Sequence, residues 1–236
     1  MGFRSKKISR DELKPGDHIY SWWHAYIYAH HGIYVGDQKV IHLTRAAGAG
    51  SGTSIDPVIR SSSASSSSAT GDPCPRCGYH SGLGGVVSSC IDCFLVGDSD
   101  RELRLFEYGV SIWFLLRKDR GTCTTASSDS AEVVLDRADY LLKNNLVVPY
   151  RLHSINCKHF AIYCKTGQIL CDYPLGTGSR IGHTALISGV TYLALGTLGP
   201  LGLASSYHMS RLSVDLLRAN SEKIPVEKLV SRFRSS

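Results

Sequence analysis

The sequence has no apolar stretch near its first residues and no long basic run interleaved with aromatic residues. The first absence predicts that the chain carries no secretory signal and resides in the cytoplasm. In that compartment its eight cysteines would serve a metal or chemistry rather than disulfides. The second absence argues against nucleic acid as a partner. Basic residues cluster at both ends of the chain and give a formal net charge of +6, which favours an anionic membrane surface.

Charged residues are also missing from one long internal segment. Residues 181–210 contain no Asp, Glu, Lys or Arg, and they include several glycines and Pro200. A membrane-spanning helix needs about 20 predominantly apolar residues, so this length would suffice. Because glycine and proline interrupt the apolar pattern, we expect a helical hairpin or re-entrant pair that associates with a membrane. A buried helix pair in a soluble domain is the alternative, and residues 211–236 are then a basic tail.

The clearest structural pattern lies in residues 11–45. A Pro-Gly-Asp turn precedes three runs rich in β-branched and aromatic residues, and the second and third of these runs predict a β-hairpin. A three-residue loop at 36–38 would put His30 and His42 on one face of the sheet, whereas a two-residue loop would put them on opposite faces. Asp-Gln is a poor two-residue turn because it lacks glycine, so we predict the longer loop.

Helix signals appear in the second half of the chain. Asp129 and Glu132 predict an N-cap and capping box for a helix that ends near Lys143. Asn156 predicts the N-cap of another helix, which ends near Gly167. Two runs, 103–108 and 111–116, are predicted to be strands, and the Gly- and Ser-rich residues 46–73 are predicted to be a flexible surface loop.

Cys157 directly follows the predicted N-cap. A thiol at a helix N-terminus experiences the positive end of the helix dipole, which favours the thiolate. A thiolate attacks the carbonyl carbon of an ester or amide, so Cys157 is a candidate nucleophile. The alternative is a buried structural cysteine, and we predict that fate for Cys164 on the same helix and for Cys171 just beyond it.

His30 is the candidate base for this thiol, since a base must come from a rigid element such as a strand. His42 on the next strand would hydrogen-bond the other ring nitrogen of His30 and fix its tautomer, as the third member of a triad does. His31 points to the opposite face, so only one of the two neighbouring histidines serves. The alternative is that all three histidines fill a half-buried sheet.

Two Cys-x-x-Cys pairs, separated by twelve residues, have the spacing of a tetrahedral zinc ribbon. Four thiolate ligands leave no open position for a substrate, so the predicted zinc is structural. Two disulfides, or no bonding at all, are the alternatives. The candidate metal ligands are Cys74, Cys77, Cys90 and Cys93.

Three motifs together resemble the lecithin:retinol acyltransferase (LRAT) family of NlpC-type, circularly permuted papain-like thiol enzymes. They are residues 30–36, His42 twelve residues after His30, and residues 156–160. The knuckles at 74–93 and the ending at 164–167 resemble the plant branch of the family. The resemblance implies an α+β fold with an antiparallel sheet packed on helices. Its domains would be a catalytic domain at 11–45 and 94–172, an inserted zinc knuckle at 74–93 and the apolar segment 181–210.

By the same resemblance Cys157 would be the nucleophile, His30 the base and His42 the third polar residue. The implied activity is transfer or hydrolysis of the acyl groups of glycerophospholipids through a thioester, without a cofactor for catalysis. Lys158 stands where the family usually has an acidic residue, and His31 stands in place of a tryptophan. Two alternatives remain: a scaffold or binding protein with weak turnover, and a cysteine peptidase or amidase of the wider clan.

Overall fold

The computed structural model describes residues 6–23, 28–44, 72–80, 82–95, 101–118, 122–144, 156–169 and 200–234. A short 3-10 helix, Arg10–Glu12, precedes the first strand. The strands are β1 (His18–Trp23), β2 (Tyr28–Gly36), β3 (Lys39–Thr44), β4 (Gly85–Cys90) and β5 (Arg104–Leu105). The helices are α1 (Ile91–Phe94), α2 (Ile112–Arg117), α3 (Ala131–Lys143), α4 (Cys157–Thr166), α5 (Pro200–Ala219) and α6 (Val226–Arg234).

The chain divides into two compact units. One unit contains the five strands with α1, α3, α4 and α6, and the other contains α2 and α5. The strands form a single sheet in the order β4-β3-β2-β1-β5, and every pairing in it is antiparallel. The predicted α+β class with an antiparallel sheet is therefore confirmed, while the circularly permuted papain-like topology stays a prediction.

The sheet places β2 at its centre, so the residues of β2 are enclosed by strands on both sides. One face of the sheet carries an apolar cluster that includes Ile19, Tyr34 and Val40, and Phe94 at the end of α1 packs into this cluster. Helix α4 packs against β2 and β3 and also against α3. A central strand covered in this way is a rigid support for functional side chains.

The hairpin between β2 and β3 differs from the prediction in its turn. Asp37 and Gln38 both have positive φ, 49° and 57°, and Gly36 pairs with Lys39, so the loop has two residues. A β-bulge between Tyr34 and Gly36 adds one residue to β2, and Gly32 consequently pairs with His42 as the longer loop would have required. The predicted loop length was wrong. The predicted register was right, because one extra residue in the bulge shifts the strand pairing by the same amount as one extra residue in the loop.

Strand β4 was not predicted at all, because residues 74–93 were interpreted only as a metal-binding insertion. The structure places Gly85–Cys90 on the sheet, paired with β3 along its whole length. Val86, Val87 and Cys90 are buried there. The inserted knuckles are thus continuous with the five-stranded sheet.

Residues 111–116, predicted to be a strand, belong to helix α2. Ser111 caps this helix by accepting a hydrogen bond from the backbone N–H of Phe114, and this local cap outweighs the β propensity of the aromatic and β-branched residues. Trp113 on this helix is 78% exposed. The strand predicted at 103–108 is reduced to the two residues of β5.

Helix α3 ends at Lys143 as predicted, but its N-terminus differs. The N-cap residue is Ser130, and the carboxylate of Asp129 forms an ion pair with Arg137, with 2.7 Å between Oδ2 and Nη1. A charged partner two turns along the helix therefore replaces the predicted capping box.

Most of the predicted membrane segment, residues 181–199, lies outside the described residues, as do residues 46–71 and Cys171. From Pro200 onward α5 runs without interruption to Ala219, so it joins the end of that segment to the beginning of the predicted basic tail. Proline suits the first turn of a helix because its missing N–H would have no partner there. In the part of the chain that the structure describes, no helix combines the length and the apolar character needed to cross a membrane.

Candidate active site and metal centre

The N-terminus of α4 is built as the sequence predicted. The side chain of Asn156 accepts hydrogen bonds from the backbone N–H groups of Lys158 at 3.0 Å and His159 at 3.2 Å, which satisfies two of the unpaired donors of the first turn. Gly167 ends the helix in the left-handed conformation, with φ of 69°. Local capping at both ends therefore fixes where α4 begins, and Cys157 is its first residue.

Cys157 is buried, with 1% of its surface exposed. Its thiol donates to the carbonyl oxygen of Ala29, at 3.7 Å between sulfur and oxygen. Ala29 immediately precedes His30 in β2, so the structure brings the sulfur to the strand that carries the candidate base. Cys164 lies further along α4, where burial raises the pKa of its thiol.

His30 and His42 are in direct contact, as the sequence predicted. His30 Nε2 lies 2.8 Å from His42 Nδ1, and His42 Nε2 lies 2.9 Å from the hydroxyl of Ser89. The ring of Phe94 packs against both imidazoles, with centroid distances of 4.9 Å and 5.4 Å. The two histidines and Ser89 are buried. They form a hydrogen-bonded chain that runs across β2, β3 and β4, which we call the histidine chain.

Burial controls the protonation of the two histidines in the histidine chain. It lowers the pKa of His30 to about 4 and holds the pKa of His42 well below its ordinary value. Both imidazoles are therefore neutral near pH 7, and a neutral imidazole is the form that accepts a proton from a thiol.

Gly32 lies between the two histidine positions and allows the close packing around them. A β-carbon at this residue would lie 2.6 Å from Val40 Cγ1, 3.0 Å from Phe94 Cε2 and 3.2 Å from the β-carbon of His42. The distance to Val40 is too short for a real contact and the other two are tight, so any side chain at this position would displace the packing beside the histidine chain.

His31 belongs to a different cluster, as the alternation of a strand predicts. Its Nδ1 lies 2.9 Å from Nε2 of His18, and its ring stacks on Tyr20 at 5.2 Å. Burial lowers the pKa of both His18 and His31, so this pair is also neutral. It is a packing pair within the core.

Sequence reasoning missed two polar residues, one within the histidine chain and one beside it. Ser89 was missed because β4 was not recognised, although strand pairing would have placed it opposite Val40. Ser21 is the cross-strand neighbour of His30 and is fully buried. Its hydroxyl finds no hydrogen-bond partner among the described residues, and a strand-register argument on β1 would have flagged it.

The four candidate metal ligands converge as predicted. Their sulfur atoms all lie within 4.8 Å of one another, and those of Cys77 and Cys93 are 3.7 Å apart. A tetrahedral ion with bonds of about 2.3 Å to sulfur separates its ligands by about 3.8 Å, so these residues fit such an ion. We call them the cysteine cluster. The cluster is consistent with a structural metal ion, and the identity of that ion as zinc is part of the proposal below.

The first half of the cysteine cluster is shaped by its backbone. Gly78 has φ of 70° and donates to the carbonyl oxygen of Cys74, which folds the first Cys-x-x-Cys pair into a tight knuckle. Backbone N–H groups of Arg76 and Cys77 lower the pKa of the Cys74 thiol to about 6. Burial raises the pKa of Cys93, and a bound cation would reverse that effect by stabilising the thiolate.

Comparison with known proteins gives the family. Residues 11–170 match the family model described as lecithin retinol acyltransferase. The chain belongs to the lecithin retinol acyltransferase family. Over 252 aligned residues it is also 41% identical to Protein LEAD-SENSITIVE 1 of Arabidopsis thaliana, covering all of this chain and 93% of that protein. The predicted LRAT membership is confirmed, and it assigns the chain to a family of acyltransferase-type thiol enzymes.

Proposed function

We propose that this LRAT-family chain is a cysteine-dependent acyltransferase or phospholipase A-type acyl hydrolase that acts on acyl esters of glycerophospholipids. The observation that carries the proposal is the buried His30–His42 pair, whose His30 lies on the same strand as the Ala29 carbonyl that Cys157 contacts. Association with a lipid surface through residues 181–210 belongs to the same proposal, since the substrate resides there. The metal in the cysteine cluster is proposed to be zinc with a structural role.

In the proposed reaction, His30 accepts the thiol proton of Cys157 and the thiolate attacks the ester carbonyl carbon. The backbone N–H of Cys157, at the positive end of α4, stabilises the oxyanion. The carbon–oxygen bond of the ester then breaks, His30 returns its proton to the departing lysolipid alkoxide, and a thioester remains on Cys157. Water, an alcohol or an amine transfers a proton to His30 and attacks the thioester, which releases the acyl group and restores the thiol.

The test is direct detection of the thioester. Full-length protein is incubated with phosphatidylcholine vesicles that carry a labelled acyl chain, and the peptides are analysed by mass spectrometry after a brief reaction. We expect a hydroxylamine-sensitive acyl adduct on Cys157. Cys164→Ala is the matched control, because it removes a buried thiol from the same helix and should leave the adduct intact.

The same experiment separates the alternatives. An adduct formed from amide substrates and never from esters would indicate a peptidase or amidase. The absence of any adduct, with the fold intact, would contradict the enzyme proposal and favour a scaffold protein.

A further inference from the structure

We propose that Ser89 determines which ring nitrogen of His42 and of His30 carries the proton. We further propose that metal binding by the cysteine cluster holds Ser89 in this position. The inference rests on the proposed function, because it concerns the same pair of histidines. It assigns Ser89 as a positioning residue and gives the metal a role in the geometry of the site.

Ser89 forms one end of the histidine chain. The Ser89 hydroxyl lies 3.3 Å from the carbonyl oxygen of Cys90, to which it donates its proton. Its oxygen must then accept a hydrogen bond from His42 Nε2–H. His42 Nδ1 consequently carries no proton and accepts from His30 Nε2–H. This order leaves the lone pair of His30 on Nδ1, the nitrogen needed to take a proton from a thiol.

The opposite polarity would disable the base. If the Ser89 hydroxyl donated to His42 Nε2, then His42 Nδ1–H would donate to His30 Nε2. The proton of neutral His30 would then reside on Nδ1, and no lone pair would remain for the thiol. A single hydroxyl orientation, set by the Cys90 carbonyl, therefore decides whether His30 is presented as a base.

The residues that surround His42 are tied to the cysteine cluster. Ser89 directly precedes Cys90, and Phe94 directly follows Cys93. The ring of Tyr79 lies 5.9 Å from that of His42, and the backbone carbonyl of Tyr79 accepts a hydrogen bond from the N–H of Cys74. A metal ion bound by all four sulfurs would hold these three neighbours of His42 in one arrangement.

The test of Ser89 uses Ser89→Ala and, as the matched control, Ser88→Ala on the same strand. Ser88 is only half-buried, and strand alternation turns its side chain to the other face of the sheet. Nitrogen-15 NMR of the histidine side chains reports the tautomer of His42, and acyl-adduct formation on Cys157 reports the rate. We expect Ser89→Ala to keep the metal, to lose the single Nε2–H tautomer of His42 and to slow adduct formation about tenfold or more. Ser88→Ala should match the wild-type protein.

In the test of the metal, the ion is removed by chelation and Zn²⁺ is then added back. In a parallel sample Co²⁺ is added instead, and its absorption shows whether the cysteine cluster binds an ion. We expect metal removal to give mixed His42 tautomers and metal return to restore the single form. An unchanged His42 spectrum in metal-free protein, or in Ser89→Ala, would overturn the inference. Loss of amide dispersion throughout β1 and β2 would also overturn it, since the metal would then support the whole fold rather than the site. These NMR measurements remain decisive even if no phospholipid is ever a substrate.

Discussion

Burial holds the imidazole of His30 in its neutral form by lowering its pKa. His30 is 8% exposed on a central strand, its only charged form is disfavoured there, and its Nε2 is occupied by His42. In the proposed reaction the other ring nitrogen, Nδ1, exchanges the proton with Cys157.

The first prediction concerns the roles of the histidines. We expect His30→Ala to lower the rate of acyl release about 10²- to 10⁴-fold, the usual contribution of a general base. His42→Ala should lower it less, because His42 only orients His30. His31→Gln is the control, since His31 pairs with His18 in a separate cluster. Equal rates for His30→Ala and His31→Gln would contradict the assignment, and circular dichroism checks that each variant folds.

The second prediction links the same burial to stability. Because burial lowers the pKa of His30 from 6.5 to about 4, the unfolded chain binds a proton in this interval that the folded chain does not. The contribution of neutral, buried His30 to the free energy of unfolding is fully present above pH 6.5 and is lost as the pH falls toward 4. We therefore expect the free energy of unfolding by urea to drop from pH 7 to pH 5, and to drop less in His30→Gln. Exposed His80→Gln should behave as the wild type; an identical drop in all three proteins would contradict the prediction.

At the scale of single elements, α4 was predictable and the β2–β3 turn was not. The N-cap at Asn156 depends on residues two and three positions away, so the sequence pattern contains it completely. The bulge in β2 depends instead on how Tyr34 and Gly36 fit against β3 and against the turn. Because bulge and turn compensate, two different local structures give the same register, and residue propensities do not distinguish them.

The third prediction tests the cap of α4. Asn156→Ala removes the acceptor of two backbone N–H groups and should lower the free energy of unfolding by about 0.5–2 kcal/mol. Asn156→Asp keeps an acceptor at the same position and should retain most of the stability. Urea denaturation measures both, and equal stability of the two variants would show that the cap does not stabilise the helix.

The fourth prediction tests the turn. Gln38 has φ of 57°, a conformation that glycine adopts without steric cost, and its side chain is exposed. We expect Gln38→Gly to raise the free energy of unfolding by roughly 0.5–1 kcal/mol, since relief of the left-handed strain outweighs the added freedom of the unfolded chain. Gly36→Ala, at φ of 98°, should act in the opposite direction. A destabilised Gln38→Gly variant would show that the turn is not strained.

At the scale of the whole molecule, the cysteine cluster joins segments that the sequence presents as an insertion to the sheet that holds the histidines. Cys90 is the last residue of β4, and Cys93 lies within α1. The spacing of the cysteines predicted the cluster, whereas the sharing of β4 between cluster and sheet became visible only in the fold. The cysteine cluster and the histidine chain therefore lie in the same compact unit of the structure.

The fifth prediction concerns this metal. We expect elemental analysis to find about one zinc ion per chain, and chelation to lower the melting temperature, because an ion bound only by the folded state stabilises it. Cys93→Ser should lose the ion. Cys123→Ser, which removes a buried cysteine outside the cluster, should keep it. A Cys93→Ser variant with full metal content would show that the cluster is not the binding site.

The sequence by itself determined the features that depend on near neighbours: the start of α4 at Cys157, the end of α3 at Lys143 and the convergence of the four cysteines. Capping, alternation and ligand spacing act within a few residues, so their patterns are readable without coordinates. Only the tertiary structure decided that Ser89 ends the histidine chain, since this contact joins residues 47 positions apart through the pairing of β3 with β4. That pairing depends on burial of both strands in a common core, which no local pattern in the sequence specifies.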